Sequence, residues 1–198
     1  MGAKYSENRD LELPAHKKRY SLLSRIIRGI FAVVDPRAYF HALRIINYYN
    51  YSHVIPRRKI KIGINPRISP NASFSNPERI HIGNNVSIGA HCQIWAGPSK
   101  GKIIIGDDVL LGPDIMMTAA SYRFNDGAPV TNQPMDESDI TIGNDVWIGA
   151  KAIILPGAII GDGSIIGAGS LVRGEIPKYS IAVGTPAKIV GERHIEIA

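Results

Sequence analysis

The chain has 198 residues, 44% of them hydrophobic and 20% charged, with a net charge of +6 and a single cysteine. That length suffices for one sizeable core with an appendage, and the lone Cys92 excludes an internal disulfide and fits a reducing compartment. Glycine and proline number 20 and 13, yet the sequence is not of low complexity, which excludes a disordered chain.

The basic character is confined to the first third. Residues 1–61 carry 13 Lys/Arg against 4 Asp/Glu, a net of +9, whereas residues 62–198 carry 10 against 13, a net of −3. A basic chain suggests nucleic acid, but no helix-turn-helix, zinc site or aromatic-basic RNA motif is present, so no nucleic-acid partner is expected. Residues 1–61 read as a basic helical segment. Leu22, Leu23, Ile26, Ile27, Ile30, Phe31 and Val34 share one helical face, with Ser21, Ser24, Arg25 and Arg28 on the other. Asp35-Pro36 then supplies a cap and a first helical position, opening a second helix to about Tyr51.

The apolar run at 29–34 is far too short to span a bilayer. Arg25 and Arg28 interrupt the one candidate for a cleavable signal, so none is expected and the chain reads as cytoplasmic. Two readings of the helices stand. They pack on the body or on a neighbouring subunit, or residues 17–51 rest peripherally on anionic lipid at the inner membrane face. On sequence grounds packing carries more weight, because amphipathicity alone is ordinary.

From residue 62 onward aliphatic residues recur every six positions. The series are Ile62, Ile68, Phe74; Ile82, Ile88, Ile94; Ile105, Leu111, Met117; and Ile142, Ile148, Ile154, Ile160, Ile166, Val172. Glycine often follows directly, and a small or β-branched residue falls four places on, as at Val86, Cys92, Val109, Ala152 and Ser164. Neither a helical period nor strand alternation produces this. A period of six suits short strands joined by tight turns, three hexads closing one triangular coil, with stacked coils burying the aliphatic stripe. A parallel β-helix over residues 62–198, ending in a C-terminal tail, is predicted. Two breaks interrupt it. "AGPSKGK" fills the step from Ile94 to Ile105, and a polar loop at 123–139 fills the step from Met117 to Ile142. A loop of that length in a compact repeat is more often functional than idle.

The stretches "ITIGNDVWIGAKAIILPGAIIGDGSIIGAGSLV" (140–172) and "IPKYSIAVGTPAKIV" (176–190) resemble the hexapeptide-repeat acyltransferases. The resemblance covers about two thirds of the chain. It falls closest to the galactoside and maltose acetyltransferases and the O-acetyltransferases of surface polysaccharides. It implies a left-handed coil, homotrimers with sites between subunits, acetyl-CoA as co-substrate, no metal, and a saccharide acceptor, while the basic Arg25/Arg28 face of the N-terminal helices suggests that this saccharide is lipid-linked. It also implies cofactor contacts at Gly149, Ala150, Gly167, Ala168, Arg173, Thr185 and Lys188, with the Ala150 and Ala168 amides meeting the thioester oxygen, where acyl transfer develops negative charge. Arg173 and Lys188 match positions near the nucleotide phosphates, and either also reads as a solvated charge. Trp147 and Ser121 fall at acceptor positions. Trp147 either stacks on a sugar or packs under the 123–139 loop.

An ungapped match through "LLGPDIMMTAASY" puts Tyr122 where the family has its catalytic histidine. A phenol, with a reference pKa of about 10, is a poor base at neutral pH. Four readings follow: an amine acceptor needing little help, a relocated base, an inactive scaffold or partner-binding protein, or a residue replaced in this chain. For a relocated base, His91, Asp114 and Lys151 each lie three places after an aliphatic position and should stack on one outer row. His91 and Asp114 would then be neighbours, and a carboxylate can orient an imidazole. A solvated row is the blander reading. Two histidines in the repeat body do not build the three-histidine zinc site of a γ-type carbonic anhydrase. No glycine-rich nucleotide domain precedes the repeat, which argues against a nucleotidyltransferase fusion. The resemblance therefore implies an acetyl-CoA-dependent acetyltransferase acting on a saccharide in surface-glycan synthesis, with the non-catalytic β-helix as the contrasting class.

Overall fold

The computed structural model describes residues 20–194. Residues 17–19 of the expected lipid-contact segment, and 195–198 of the expected tail, lie outside them. The described residues divide into two compact units, one up to Ile45 and one from Ile46, the boundary falling inside the second helix.

In the first unit, helix α1 (Leu22–Val34) starts at Ser21, whose hydroxyl accepts the Ser24 N–H at 3.3 Å. This is the usual side-chain capping of an orphan amide. Helix α2 (Pro36–Tyr49) follows after one residue, and Asp35 Oδ1 accepts the Arg37 N–H at 2.9 Å, with proline in the first turn. The Tyr39 hydroxyl donates to the Val33 carbonyl across the joint, at 2.5 Å. No residue of either helix is buried. The second helix ends at Tyr49, two residues before the expected limit, and passes into a π-helical turn at Asn50–Val54.

The second unit is the parallel β-helix. Its hexads distribute over three parallel sheets, one per side of the triangle. Ile62, Ile82, Ile105, Ile142, Ile160 and Ile176 stack in register down the first sheet. Ile68, Ile88, Leu111, Ile148, Ile166 and Ala182 stack down the second. Phe74, Ile94, Met117, Ile154 and Val172 stack down the third. Most of these are fully buried, and at about 1.5–3 kcal/mol for each large aliphatic chain removed from water these columns dominate the stability. Val86, Cys92, Val109, Ala152 and Ser164 fill the corners, as their spacing predicts.

Backbone amides at one corner find side-chain acceptors in the next coil. Oδ1 of Asn84, Asp107, Asn144 and Asp162 accepts the N–H of Ile64, Asn84, Asp107 and Asn144 respectively, at 2.7–2.9 Å. This ladder explains why Asn or Asp follows the glycine in those hexads: each side chain supplies an acceptor to an amide of the neighbouring coil. The corner residue after each, as at Asn85, Asp108 and Asp145, has positive φ, where Asn and Asp are the tolerated non-glycine residues.

The long polar loop is more ordered at its root than its lack of period suggests. Strands Ala120–Tyr122 and Met135–Glu137 pair antiparallel, with Tyr122 opposite Met135. The excursion is a hairpin carried on the coil. At the far end, strands Ser180–Val183 and Lys188–Glu192 form a second antiparallel pair that closes the second sheet.

Candidate active site

The corner between the second and third sheets gathers most of the cofactor candidates. Each coil's backbone there bonds to its neighbour: Asp114 N–H to Ala90 O at 2.8 Å, Lys151 N–H to Pro113 O at 2.9 Å, and Gly169 N–H to Ala150 O at 2.8 Å. Thr185 continues the edge by donating its hydroxyl to Gly169 O at 3.3 Å. Gly112, Gly149 and Gly167 line the inside of this edge because the coils approach too closely for a side chain. A Cβ on Gly149 would stand 2.5 Å from Ala168 N, and one on Gly112 would stand 2.8 Å from Ala150 N. Ala150 is half-buried and Ala168 exposed. Among the described residues, neither of their N–H groups meets a protein acceptor. These two amides, on adjacent coils and about 4.8 Å apart by strand spacing, are left as donors for a ligand oxygen.

His91, Asp114 and Lys151 occupy the same edge, all with positive φ. The structure brings His91 and Asp114 together, Nδ1 to Oδ1 at 3.5 Å, with both side chains well exposed. Trp147 projects from the second sheet, 51% exposed, in register with Leu110 and Ile165. It borders a shallow pocket of about 260 Å³ shared with Asp145 and Arg193. The pocket beside Trp147 is lined by none of residues 123–139. The indole lies on the second sheet, whereas the loop departs after the third. Arg173 follows the third-sheet strand Leu171–Val172, and Lys188 sits opposite Val183 in the terminal hairpin; both are exposed.

Tyr122 and Ser121 lie elsewhere. They follow the third-sheet strand Met116–Thr118, at the opposite end of that sheet from the His91 corner. The structure therefore does not bring Tyr122 beside the Ala150–Ala168 amides through its own chain topology. Tyr122 is 51% exposed and lines a pocket of about 290 Å³ with Ser121, Arg123, Phe124, Asn125 and Asp136. Arg123 Nε pairs with Asp136 at 2.7 Å across the hairpin, which holds the guanidinium firmly charged.

One residue in this region escaped the sequence reading. The Glu137 carboxylate accepts the N–H groups of Ser99 at 3.0 Å, Lys100 at 2.6 Å and Gly101 at 2.6 Å, and Asp139 adds Lys102 at 2.7 Å. These bonds pin "AGPSKGK" to the hairpin root. The only sequence cue was two carboxylates at the end of the long loop, with no period linking them to residues 99–102. The backbone donors at Gly101 and Lys100 hold the Glu137 carboxyl below the usual carboxylate range. A depressed folded value means the clamp is complete above the unfolded pKa of about 4.3 and is lost as pH falls through the folded value. Limited proteolysis at residues 97–101 should therefore accelerate on acidification below about pH 4, and Glu137→Gln should show faster cleavage already at neutral pH.

Among the described residues there is no cluster of three His, Cys, Asp or Glu that could hold a metal, and no helix long and apolar enough to cross a membrane.

The bacterial transferase hexapeptide family (six repeats) matches residues 139–174. A galactoside O-acetyltransferase of Escherichia coli is 33% identical over 153 residues, covering 73% of this chain and 73% of that protein. The chain belongs to the hexapeptide-repeat acetyltransferases. A putative lipopolysaccharide biosynthesis O-acetyl transferase of Escherichia coli, WbbJ, is 31% identical over 183 residues, covering 87% and 90%. A probable acetyltransferase of Mycobacterium tuberculosis is 32% identical over 167 residues, 72% of this chain, and the chain spans only 53% of that relative's length. Among solved structures, a galactoside acetyltransferase in complex with coenzyme A superposes with a TM-score of 0.66 at 30% identity, covering 80% of this chain and 82% of that one. Membership in the hexapeptide-repeat acetyltransferases accounts for the coil, and the match of 139–174 falls on the hexads that carry Gly149, Ala150, Gly167 and Ala168.

Proposed function

We propose that the protein transfers an acetyl group from acetyl-CoA to a saccharide in surface-polysaccharide synthesis, working as a homotrimer. The observation that carries this reading is the pair of unpartnered amides at Ala150 and Ala168 on a glycine-thinned edge. There a thioester oxygen can accept two preorganised hydrogen bonds. An acceptor oxygen or nitrogen attacks the carbonyl carbon, the C–S bond breaks, and the CoA thiolate leaves while the acceptor's proton goes to a base. The galactoside and lipopolysaccharide acetyltransferases to which the chain is similar support a sugar acceptor.

Oligomerisation is part of the proposal because the candidates are divided. Tyr122 and Ser121 sit at one end of the third sheet and the amide edge at the other, so a neighbouring subunit would have to supply one half of the cleft. Tyr122 at the histidine position favours a second reading, in which the protein binds CoA without turnover and serves as a scaffold. Acetyl-CoA consumption screened against hydroxyl and amino sugars separates the two. Turnover on any sugar removes the scaffold, and CoA binding with no turnover removes the enzyme.

Arg173 and Lys188 are proposed to face the nucleotide end of CoA. Calorimetry should then find Arg173→Ala and Lys188→Ala weakening CoA more than dephospho-CoA, about tenfold for a lost charged phosphate contact. Equal losses would place both residues away from the 3′-phosphate.

A further inference from the structure

The two N-terminal helices carry an apolar face that the acetyl-transfer site does not use. Along α1, Leu22, Leu23, Ile26, Ile27, Ile30, Phe31 and Val34 form one continuous apolar strip, and every one of them is exposed, Leu22 at 76% and Phe31 at 72%. Along α2, Tyr39, Leu43 and Ile46 repeat at helical spacing and are also exposed, while Arg37, His41 and Arg44 take the opposite side. The joint between the two helices is held locally: Asp35 caps α2 and the Tyr39 hydroxyl donates to the Val33 carbonyl, while on α1 the Arg28 guanidinium lies 3.8 Å over the Tyr20 ring.

Charge decides what covers that face. Between residues 20 and 45 the cations are Arg25, Arg28, Arg37 and Arg44, and the one acidic residue, Asp35, already accepts a backbone N–H at the cap. A second copy of the helices would cover the strip but supply no anion for the arginines on the opposite faces. An anionic bilayer offers both requirements at once, acyl chains for the strip and phosphates for the arginines. The helices have 13 and 14 residues, about 20 Å at 1.5 Å per residue, against about 30 Å of hydrocarbon. They would lie in the interface and not cross it.

We propose that α1 and α2 form a peripheral docking surface for anionic membrane. This goes beyond the acetyl-transfer reading and does not rest on it. The test is flotation of the full chain with phosphatidylcholine vesicles, with and without roughly one third phosphatidylglycerol. Binding should require the anionic lipid and fall at least about tenfold when salt is raised from about 0.1 M to about 1 M. Arg25→Glu with Arg28→Glu, and separately Ile26→Ser with Ile30→Ser, should each weaken it about tenfold or more. Circular dichroism and sedimentation should show fold and assembly mass unchanged in both pairs.

Absence of binding to the anionic vesicles overturns the proposal, as does equal, salt-insensitive binding to phosphatidylcholine alone. A fall in assembly mass in the Ile26→Ser, Ile30→Ser protein, without vesicles present, also overturns it and makes the face a contact between copies. Turnover of acetyl-CoA on a water-soluble sugar reads the catalytic proposal separately, and neither pair should change it.

Discussion

Tyr122→His should create or raise O-acetyl transfer, by up to about 10²–10⁴, the range a positioned general base contributes. The expectation rests on the position Tyr122 holds: half exposed, at the root of a hairpin on the third sheet, beside a pocket of about 290 Å³. An imidazole there can accept the hydroxyl proton as the acceptor attacks. The gain should grow with pH through the imidazole titration, near 6.5 for an unshifted group, because only the neutral ring accepts a proton. Tyr122→Phe should change little. A severe loss in Tyr122→Phe with CoA affinity intact would make the phenol itself catalytic and sink this account. If His91→Ala alone abolishes activity, the base lies at the His91–Asp114 pair, on the same edge as Ala150 and Ala168. That outcome would move the acid–base chemistry to the cofactor side of the cleft.

Gly149→Ala should damage stability and cofactor binding together. The added methyl would stand 2.5 Å from the Ala168 nitrogen and 2.8 Å from its Cα. Both are backbone atoms of a coil that cannot yield without breaking its own ladder. Overpacking of this kind costs about 1–3 kcal/mol or more, equivalent to roughly 2–12 °C in Tm for a chain of this size. Because the displaced atom is one of the two unpartnered amides, CoA affinity should fall even at temperatures where the protein stays folded. Gly191→Ala is the control: its nearest neighbour is Ile181 Cδ1 at 4.0 Å, and it should be near neutral in both measurements. Thermal melts and calorimetry on the two variants decide it. A Gly149→Ala protein that melts like the parent would mean the edge is looser than its geometry indicates.

The relation between sequence and site differs from residue to residue. Ile148 and Ile154 could be assigned to the core from their period alone, and both are fully buried. Trp147, one place before an inward residue, had to point outward, and it does. The neighbouring of His91 and Asp114 also followed from phase: equal positions in successive hexads stack. The unpartnered state of the Ala150 and Ala168 amides could not be read, because every hexad presents similar letters and only the coil geometry shows which N–H groups lack an acceptor. Glu137 was invisible for another reason. Its donors lie 36–38 residues earlier, and nothing periodic connects the two segments. The hairpin root at Ala120–Tyr122 was missed likewise, since two strands of three residues, outside the hexad phase, leave no hydropathy signature.

The sequence by itself determined the coil. A six-residue period fixes which residues face inward and which stack, because each repeat can bury its aliphatic residue only against the same position in the next turn. It also determined the amphipathic helices and the uneven charge, which are local properties. Only the tertiary structure decided where the two excursions from the repeat go, which amides are left unpaired, and that Tyr122 and the amide edge lie at opposite ends of one sheet. Those are relations between segments distant in sequence, set by backbone hydrogen bonds and close approach, and no local pattern of side chains encodes them.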